Sequence, residues 1–362
     1  MAQIAPPPLT LRSLTGTPML FAAATLGPGA LIVLAAVFGG LWPLAALLAM
    51  TALVAALDRL VAQAAAGVPG AEFPASDRLS VALACLHLAL VPLTVWAVAG
   101  DSGLSGAARA ALFVAAGLYL GQVGHANAHE LIHRGDRRLF RLGAAVYVAL
   151  LFGHHASAHR HVHHRFVGTL DDPNTAVEGD GFWSYLPHAW VGSFRAGWAM
   201  ETALRRQSGR GGIHPYAVWI GGAAAALLAI GAAFGWAGLA VHLALAAHAQ
   251  MQILLSDYVQ HYGLERRRLP GGRLEPVGPA HAWEARAAAS GAMLLLAGRH
   301  ADHHAHPGRP FPALEHAAAA PRLPYGLPVM GAIAMVPPLW HRVMDRRLAR
   351  VRAAARAAVT RD

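Results

Sequence analysis

Between Pro18 and Leu57 the chain carries no Asp, Glu, Lys, Arg or His, a run of 40 residues interrupted near its middle by Gly39-Gly40 and Pro43. Each half is about what a helix needs to cross a ~30 Å hydrocarbon core at 1.5 Å per residue, so the pattern predicts a helical hairpin. Further apolar runs follow at 79–99, at 110–124 beginning near Leu104, and at 217–255, split around Gly235. A large soluble helical core would show charged outer faces, which these runs lack. The expected fold class is therefore all-α, a polytopic membrane protein with about six transmembrane helices at 18–38, 41–57, 79–99, 104–124, 216–235 and 237–257. We expect residues 1–362 to form a single integral-membrane domain, with cytoplasmic histidine-rich regions at 125–215 and 258–345 and a basic tail at 346–362. Two apolar stretches fit a span less well. Leu142–Gly153 has only 12 residues and reads as a buried or re-entrant helix, and Leu323–Trp340 carries Pro324, Pro328, Pro337 and Pro338, which oppose one regular helix.

Composition narrows the class further. Charged residues make up 13% of the 362 and hydrophobic ones 56%, against roughly 25% charged in an average soluble chain, which excludes disorder. Cys85 has no partner in the chain, excluding a disulfide scaffold and cysteine-ligated zinc or iron–sulfur centres. The net charge of +10 is all arginine, since the chain uses no lysine. With Arg12 at the N-terminus placed inside, Arg59 and Arg78 fall inside too, as do the arginine-rich stretches from His125 to Pro215 and from Glu265 onward. That is the positive-inside pattern, and it predicts a bacterial cytoplasmic membrane protein with both termini cytoplasmic. Basic motifs interleaved with aromatics are missing, so nucleic acid is not an expected partner. No small-residue cleavage site follows a short apolar core after Ala5–Pro8, so no cleavable signal is expected.

The chemistry lies in the histidines. Nine of the 22 fall between His125 and His164. By spacing they and later ones resolve into His129-Glu130-Leu131-Ile132-His133, the box His159–His164, a lone His261 within Asp257–Gly263, and His300-Ala301-Asp302-His303-His304. Histidines at i and i+4 share a helix face and can converge on one ion; His129/His133, His159/His163 and His300/His304 satisfy this. Adjacent pairs such as His163-His164 and His303-His304 point about 100° apart on a helix, so one member can serve one ion and its neighbour another. Three such clusters suggest two ions. All-imidazole ligation suits Zn, Cu, Fe or Ni, but a single catalytic zinc needs only three protein ligands. The spare capacity argues for a dinuclear redox centre, with iron, which can also activate O2, as the leading candidate.

His129–His133 also reads as HExxH, the signature of zinc proteases with Glu130 as general base. That reading, an intramembrane zinc metalloprotease, uses two histidines and leaves the other clusters idle. His87, His188, His214, His242, His248, His281, His316 and His341 stand alone and are expected to have no ligand role.

These motifs resemble those of the integral-membrane alkane 1-monooxygenases (alkane hydroxylases), relatives of xylene monooxygenase subunits and of the membrane desaturase/hydroxylase histidine-box proteins. The resemblance rests on His129–His133 followed by Arg134, on His159–His164 followed by Asp171-Asp172-Pro173, on Asp257–Leu264, and on Arg299–Pro307. Asp257 replaces an asparagine of the family pattern and Ala301 a serine. The likeness extends from about residue 16 to 345. It implies a six-helix membrane fold with a non-haem diiron site held by His129, His133, His159, His163, His164, His261, His300, His303 and His304, with His155, His161 and His306 extra.

The resemblance further implies hydroxylation of an unactivated C–H bond, a terminal methyl of a hydrophobic hydrocarbon, with O2 as co-substrate. Glu130, Asp172, Asp257 and Asp302 are candidate orienters, because a ligating histidine usually donates its other N–H to a carboxylate. Residues Leu41–Leu57 and Ala110–Gly121 are candidate substrate lining, with Trp42 and Met50 as candidates to shape it. The family implies electrons from a rubredoxin or ferredoxin fed by an NAD(P)H-dependent reductase, with Arg134, Arg137, Arg138, Arg141, Arg205, Arg206, Arg266, Arg267 and Arg268 as a docking surface. A membrane fatty-acyl desaturase or hydroxylase shares iron, O2 and topology, and is the rival reading.

Overall fold

The computed structural model describes residues 18–60, 74–209, 211–269 and 271–359. Arg12, Ala5–Pro8 and the middle of the loop after Asp58 lie outside the described residues. Among them every regular element is a helix; the only β pairing is two isolated bridges, Arg268 with Leu274 and Glu284 with Arg322.

Among the described residues five helices are long and apolar enough to cross a membrane: Pro18–Phe38 (α1), Trp42–Leu60 (α2), a third that starts at Pro74 and is apolar over Ser76–Ala99 (α3), Gly106–Ile132 (α4) and Pro215–His261 (α8). The hairpin turn between α1 and α2 uses Gly39 and Gly40, both at φ 60°, a left-handed conformation that only glycine adopts at no steric cost. The last of the five runs for 47 residues and is broken at Gly235 (φ 64°, ψ −162°), a region open essentially to glycine alone. Either side of the break is long enough to span a bilayer. The chain is thus a membrane-embedded, all-helical protein.

The remaining helices pack on this bundle, and the chain at 149–150 reaches back along α8, where the Ala149 carbonyl lies 2.8 Å from His242 Nε2 and Gln250 donates to the Leu150 carbonyl at 2.7 Å. Arg137–Ala149 (α5) starts on Asp136, whose carboxylate accepts from the Arg138 and Leu139 amides, an ordinary N-cap. A wound segment follows at 155–166 (α6), then Phe182–Ser208 (α7). After α8 come Ala289–Met293 (α9), His300–Ala305 (α10), Leu327–Ala334 (α11) and Pro337–Val359 (α12). The prolines of 323–340 thus do not make one regular helix; Pro328, Pro337 and Pro338 fall in the first turns of α11 and α12, where a missing N–H costs nothing.

The contact between α4 and α8 sets the frame for the site. A Cβ on Gly121 would come within 2.6 Å of the Gln252 Cβ and 2.7 Å of the Ala249 carbonyl, and one on Gly117 within 2.0 Å of the His248 ring. Small residues let membrane helices approach this closely, and Gln122 bridges them by donating to Gln252 at 3.0 Å. Their shared end carries His129 and His133 from α4 and His261 from α8. Gly121→Ala should destabilise the detergent-purified protein by about 1–3 kcal/mol through overpacking. Gly221→Ala, where a Cβ meets open space, should be neutral or stabilising by up to about 1 kcal/mol. Thermal unfolding of the two variants side by side checks the difference.

Candidate metal centre

Four separated pieces of chain deliver the clustered histidines. On α4 a π-helical turn, Leu120–Gly124, precedes His125, His129 and His133, which follow one another at one-turn intervals. Asn127 donates to the Ser80 carbonyl at 2.9 Å, tying that end of α4 to α3. His261 closes α8, and its Nδ1 lies 2.9 Å from the His281 carbonyl. α10 carries His300, His303 and His304, all buried, and the buried Arg299 before it donates to the Leu314 carbonyl.

The second box is wound in a way that helical spacing does not anticipate. His159–His163 forms a π turn inside α6, in which i+5 replaces i+4 as the residue below. His164 therefore stacks under His159, their Nε2 atoms 2.9 Å apart. His163 keeps its ring stacked on that of His159, centroids 5.1 Å apart. The described non-glycine residues with positive φ are Leu151, Leu295 and Leu296; each lies in the turn that leads into a histidine-bearing helix, α6 or α10. Strained backbone of this kind persists where surrounding structure over-determines it.

The result is two groups. His129, His133, His159, His164 and His303 form one; His163, His261, His300 and His304 form the other, and within each group the donor atoms all lie within 4.8 Å of one another. The first is partly exposed through His129, His133 and His164, while the second is wholly buried. All nine histidines singled out by the sequence motifs are therefore brought together. Adjacent pairs His163-His164 and His303-His304 are divided between the groups, and a smaller set of His159, His163 and Asp257, within the same distance, bridges the two.

Ring nitrogens face one another across both groups. Nε2 of His159 is 2.7 Å from that of His129 and 2.9 Å from that of His164, and His303 Nε2 is 3.1 Å from His164 Nε2. In the second group His300 Nε2 is 3.0 Å from that of His261 and 3.1 Å from that of His304. With metal–nitrogen bonds of about 2.1 Å, two ligands at right angles stand about 3.0 Å apart, so these spacings fit the edges of a coordination shell. His133 Nε2 and His163 Nε2 are buried with no hydrogen-bond partner, which a bound cation would satisfy.

Electrostatics favour the ligand form. Burial, reinforced by Arg160 and His163, pushes the His133 imidazole down to about 3. Burial and neighbouring imidazoles hold His159, His164, His300, His303 and His304 well below the usual range. Their lone pairs are thus free. For His163 burial works downward, but the Asp172 carboxylate, 2.8 Å from its Nδ1, holds it above its ordinary value.

Of the candidate orienters, Asp172 touches a clustered ring, and also accepts from the Thr175 hydroxyl at 2.8 Å. Asp257 accepts from Asn174 at 2.6 Å and lies within 4.8 Å of donor nitrogens of His159 and His163. Glu130 pairs with Arg134 at 3.0 Å and accepts from the Phe311 amide at 3.3 Å. Asp302 accepts from Arg309 at 2.6 Å, the Glu315 amide at 2.9 Å and His306 at 3.0 Å. Neither Glu130 nor Asp302 has a hydrogen bond to a clustered imidazole among the described residues. The His281 carbonyl behind His261 was not legible in sequence, because backbone acceptors leave no residue signature. Nor was the trio of His125, Tyr147 and His155: Tyr147 OH stands 3.0 Å from His125 Nδ1, and the His155 ring lies 5.1 Å from that of His159.

Comparison with known proteins gives the family. The fatty acid desaturase family model matches residues 105–334. Alkane 1-monooxygenase 2 of Pseudomonas aeruginosa is 30% identical over 317 residues, covering 85% of this chain and 84% of the relative. Alkane 1-monooxygenase 1 of the same organism is 32% identical over 273 residues, covering 73% and 72%. Alkane 1-monooxygenase 2 of Alcanivorax borkumensis is 31% identical over 223 residues, covering 61% and 58%.

Two outcomes are expected. Asp172→Ala should weaken metal retention by about 10–100-fold in chelator competition, whereas Asp302→Ala should leave retention unchanged. Second, the depressed imidazoles take up protons on unfolding, so the metal-free protein should lose stability as pH falls below about 6.5. Thermal melts of chelator-treated protein at pH 7.5 and 5.5 check the sign; His163, shifted the other way, offsets only one of the group.

Proposed function

From the premise that the chain belongs to the fatty acid desaturase family, and within it to the alkane 1-monooxygenases, we propose that its two histidine groups hold two iron ions and that it hydroxylates the terminal methyl of a hydrophobic hydrocarbon. That it is a membrane hydrocarbon monooxygenase, an oxidoreductase, follows from the family; the iron pair, O2 as co-substrate, the terminal position and the electron donor are our reading. The observation that carries it is the convergence of nine imidazoles from four chain segments into two adjoining donor sets.

In this reading His129, His133, His159, His164 and His303 hold one ion, and His163, His261, His300 and His304 the other. When bound, the iron pair supplies the O2 activation and redox capacity that no side chain here provides. The protein's part is orientation and exclusion. Asp172 fixes the tautomer and rotation of His163 by accepting its Nδ1–H, and the His281 carbonyl does the same for His261. We assign Asp257 a lesser orienting part, through Asn174, and give none to Glu130 or Asp302.

A hydrocarbon offers nothing to hydrogen-bond, so shape and dryness must place it. A half-open pocket with a cavity volume of about 50 Å³ is walled by Gly121, Ala126, Leu255, Val259, Leu294 and Leu327 among others, and it reaches His125, one turn before His129. We take it as the substrate site. This relocates the expected lining: from Leu41–Leu57 nothing reaches that cavity, and from Ala110–Gly121 only Gly121 does. Met50 is buried in the core and Trp42 is exposed.

Rubredoxin or ferredoxin, reduced by an NAD(P)H-dependent reductase, is the proposed electron source. Arg137, Arg138 and Arg141 are exposed at the start of α5, just after the first box, and suit steering of an acidic donor. Arg134, pairing with Asp77 and Glu130, and Arg267, pairing with Glu275, are already engaged. The arginine asymmetry of the loops supports a cytoplasmic-membrane location with both termini inside. An acyl-chain substrate would use the same centre, but the names of the relatives favour a free hydrocarbon.

The test is product analysis with the reconstituted holoenzyme, a rubredoxin system and 18O2. A primary alcohol carrying one 18O per molecule is expected from a linear alkane. An unsaturated acyl product, with no oxygen incorporated into alkane, would overturn the reading in favour of desaturation.

A further inference from the structure

α7, Phe182–Ser208, is 27 residues long and is not among the helices apolar enough to span. Its inner face is well packed: Phe182, Tyr185, Ala189, Ser193 and Gly197 are buried. Its outer face carries three indoles, Trp183, Trp190 and Trp198, exposed by 48%, 48% and 43%, with Val191 beside them. Steps of seven and eight residues are two turns each, so the three lie in one stripe about 22 Å long. Arg195 and Arg206 are exposed along the same helix.

The ends of α7 fix its height relative to the bundle. Trp198 stacks on His214 at 4.8 Å and meets Tyr216 edge-on at 5.1 Å; these residues cap and open α8, at the mouth of a membrane span. At the other end Trp183 donates to the Met335 carbonyl at 2.9 Å, where α11 ends and the exposed Val336 and Leu339 continue the apolar strip. α11 in turn packs against α8 through Gly331, where a Cβ would lie 3.1 Å from Leu255. α7 is thus held at one end to the mouth of α8 and at the other to α11, which itself packs on α8.

We propose that α7 lies in the headgroup layer of the same membrane its neighbours cross, with Trp183, Trp190 and Trp198 in the lipid interface and Arg195 and Arg206 among anionic headgroups. Indole, an apolar body with one polar N–H, partitions to that depth, and an amphipathic helix with basic flanks adds charge attraction. Continuity with the spans selects lipid as the occupant over a docked protein. The consequence reaches the second histidine box. The inner face of α7 holds α6 through Ser157, which donates to Glu201 at 2.7 Å, and through Gly197, where a Cβ would meet Ala158 at 3.0 Å. Lipid contact therefore sets the height of the helix on which His159, His163 and His164 rest.

The experiment uses the full chain in nanodiscs containing anionic lipid, with Cys85→Ser as background and a nitroxide at Trp190→Cys, Trp198→Cys or, as a milder site beside Trp190, Val191→Cys. Collision with O2, which concentrates in lipid, is compared with collision with a water-soluble nickel chelate. Leu228→Cys within a span and Gly211→Cys in an exposed loop serve as references. The proposal expects O2 collisions to exceed nickel collisions several-fold at the α7 sites, as at Leu228. Ratios matching Gly211 would overturn it, and so would shielding from both reagents, which would mean that protein covers the stripe.

Discussion

Nine imidazoles packed into buried space must find something positive for their lone pairs. A neutral imidazole has one donor and one acceptor nitrogen, so nitrogen–nitrogen contacts can be satisfied only in pairs. His159 Nε2 faces two partners at once, His129 and His164, and one N–H cannot serve three nitrogens. Protonation is no remedy, because burial and mutual repulsion drive these groups neutral. A cation at the centre of each group resolves the conflict, and unpaired buried polar atoms are otherwise costly. Much of the rest of the fold serves to hold that arrangement.

Three backbone devices do the holding. Glycine at 117 and 121 lets α4 and α8 touch, which brings His129 and His133 to the level of His261. The π turn at His159–His163 rotates His164 beneath His159 and sends His163 to the second group. The left-handed leucines at 151, 295 and 296 aim the chain into α6 and α10. None of these is costless in isolation, since each departs from regular helix. They persist because the surrounding bundle leaves the chain no alternative.

Hydropathy alone made the membrane bundle legible, since uncharged runs of span length belong in hydrocarbon, and Gly235 marked the break in α8. The histidines of the site were legible from their density and spacing. Their partition was not: i+4 spacing pairs His159 with His163, and the π winding, which has no residue signature, brings His164 to His159 as well. Carboxylates were harder still. Asp172, Glu130 and Asp302 look alike in sequence, yet Arg134 draws Glu130 away and Arg309 draws Asp302 away, leaving Asp172 on His163. The pocket taken as the substrate site was not legible for a related reason: its walls come from four segments distant in sequence, 121–126, 252–259, 294–297 and 327–331.

The most direct measurement of the central claim is the metal content of the purified protein, counted per chain by elemental analysis after expression in iron-replete cells. Two histidine groups, each offering more nitrogen donors than a single catalytic zinc uses, predict about two irons per chain. One zinc per chain with no iron would contradict the account and leave the second group of imidazoles without an ion to bind.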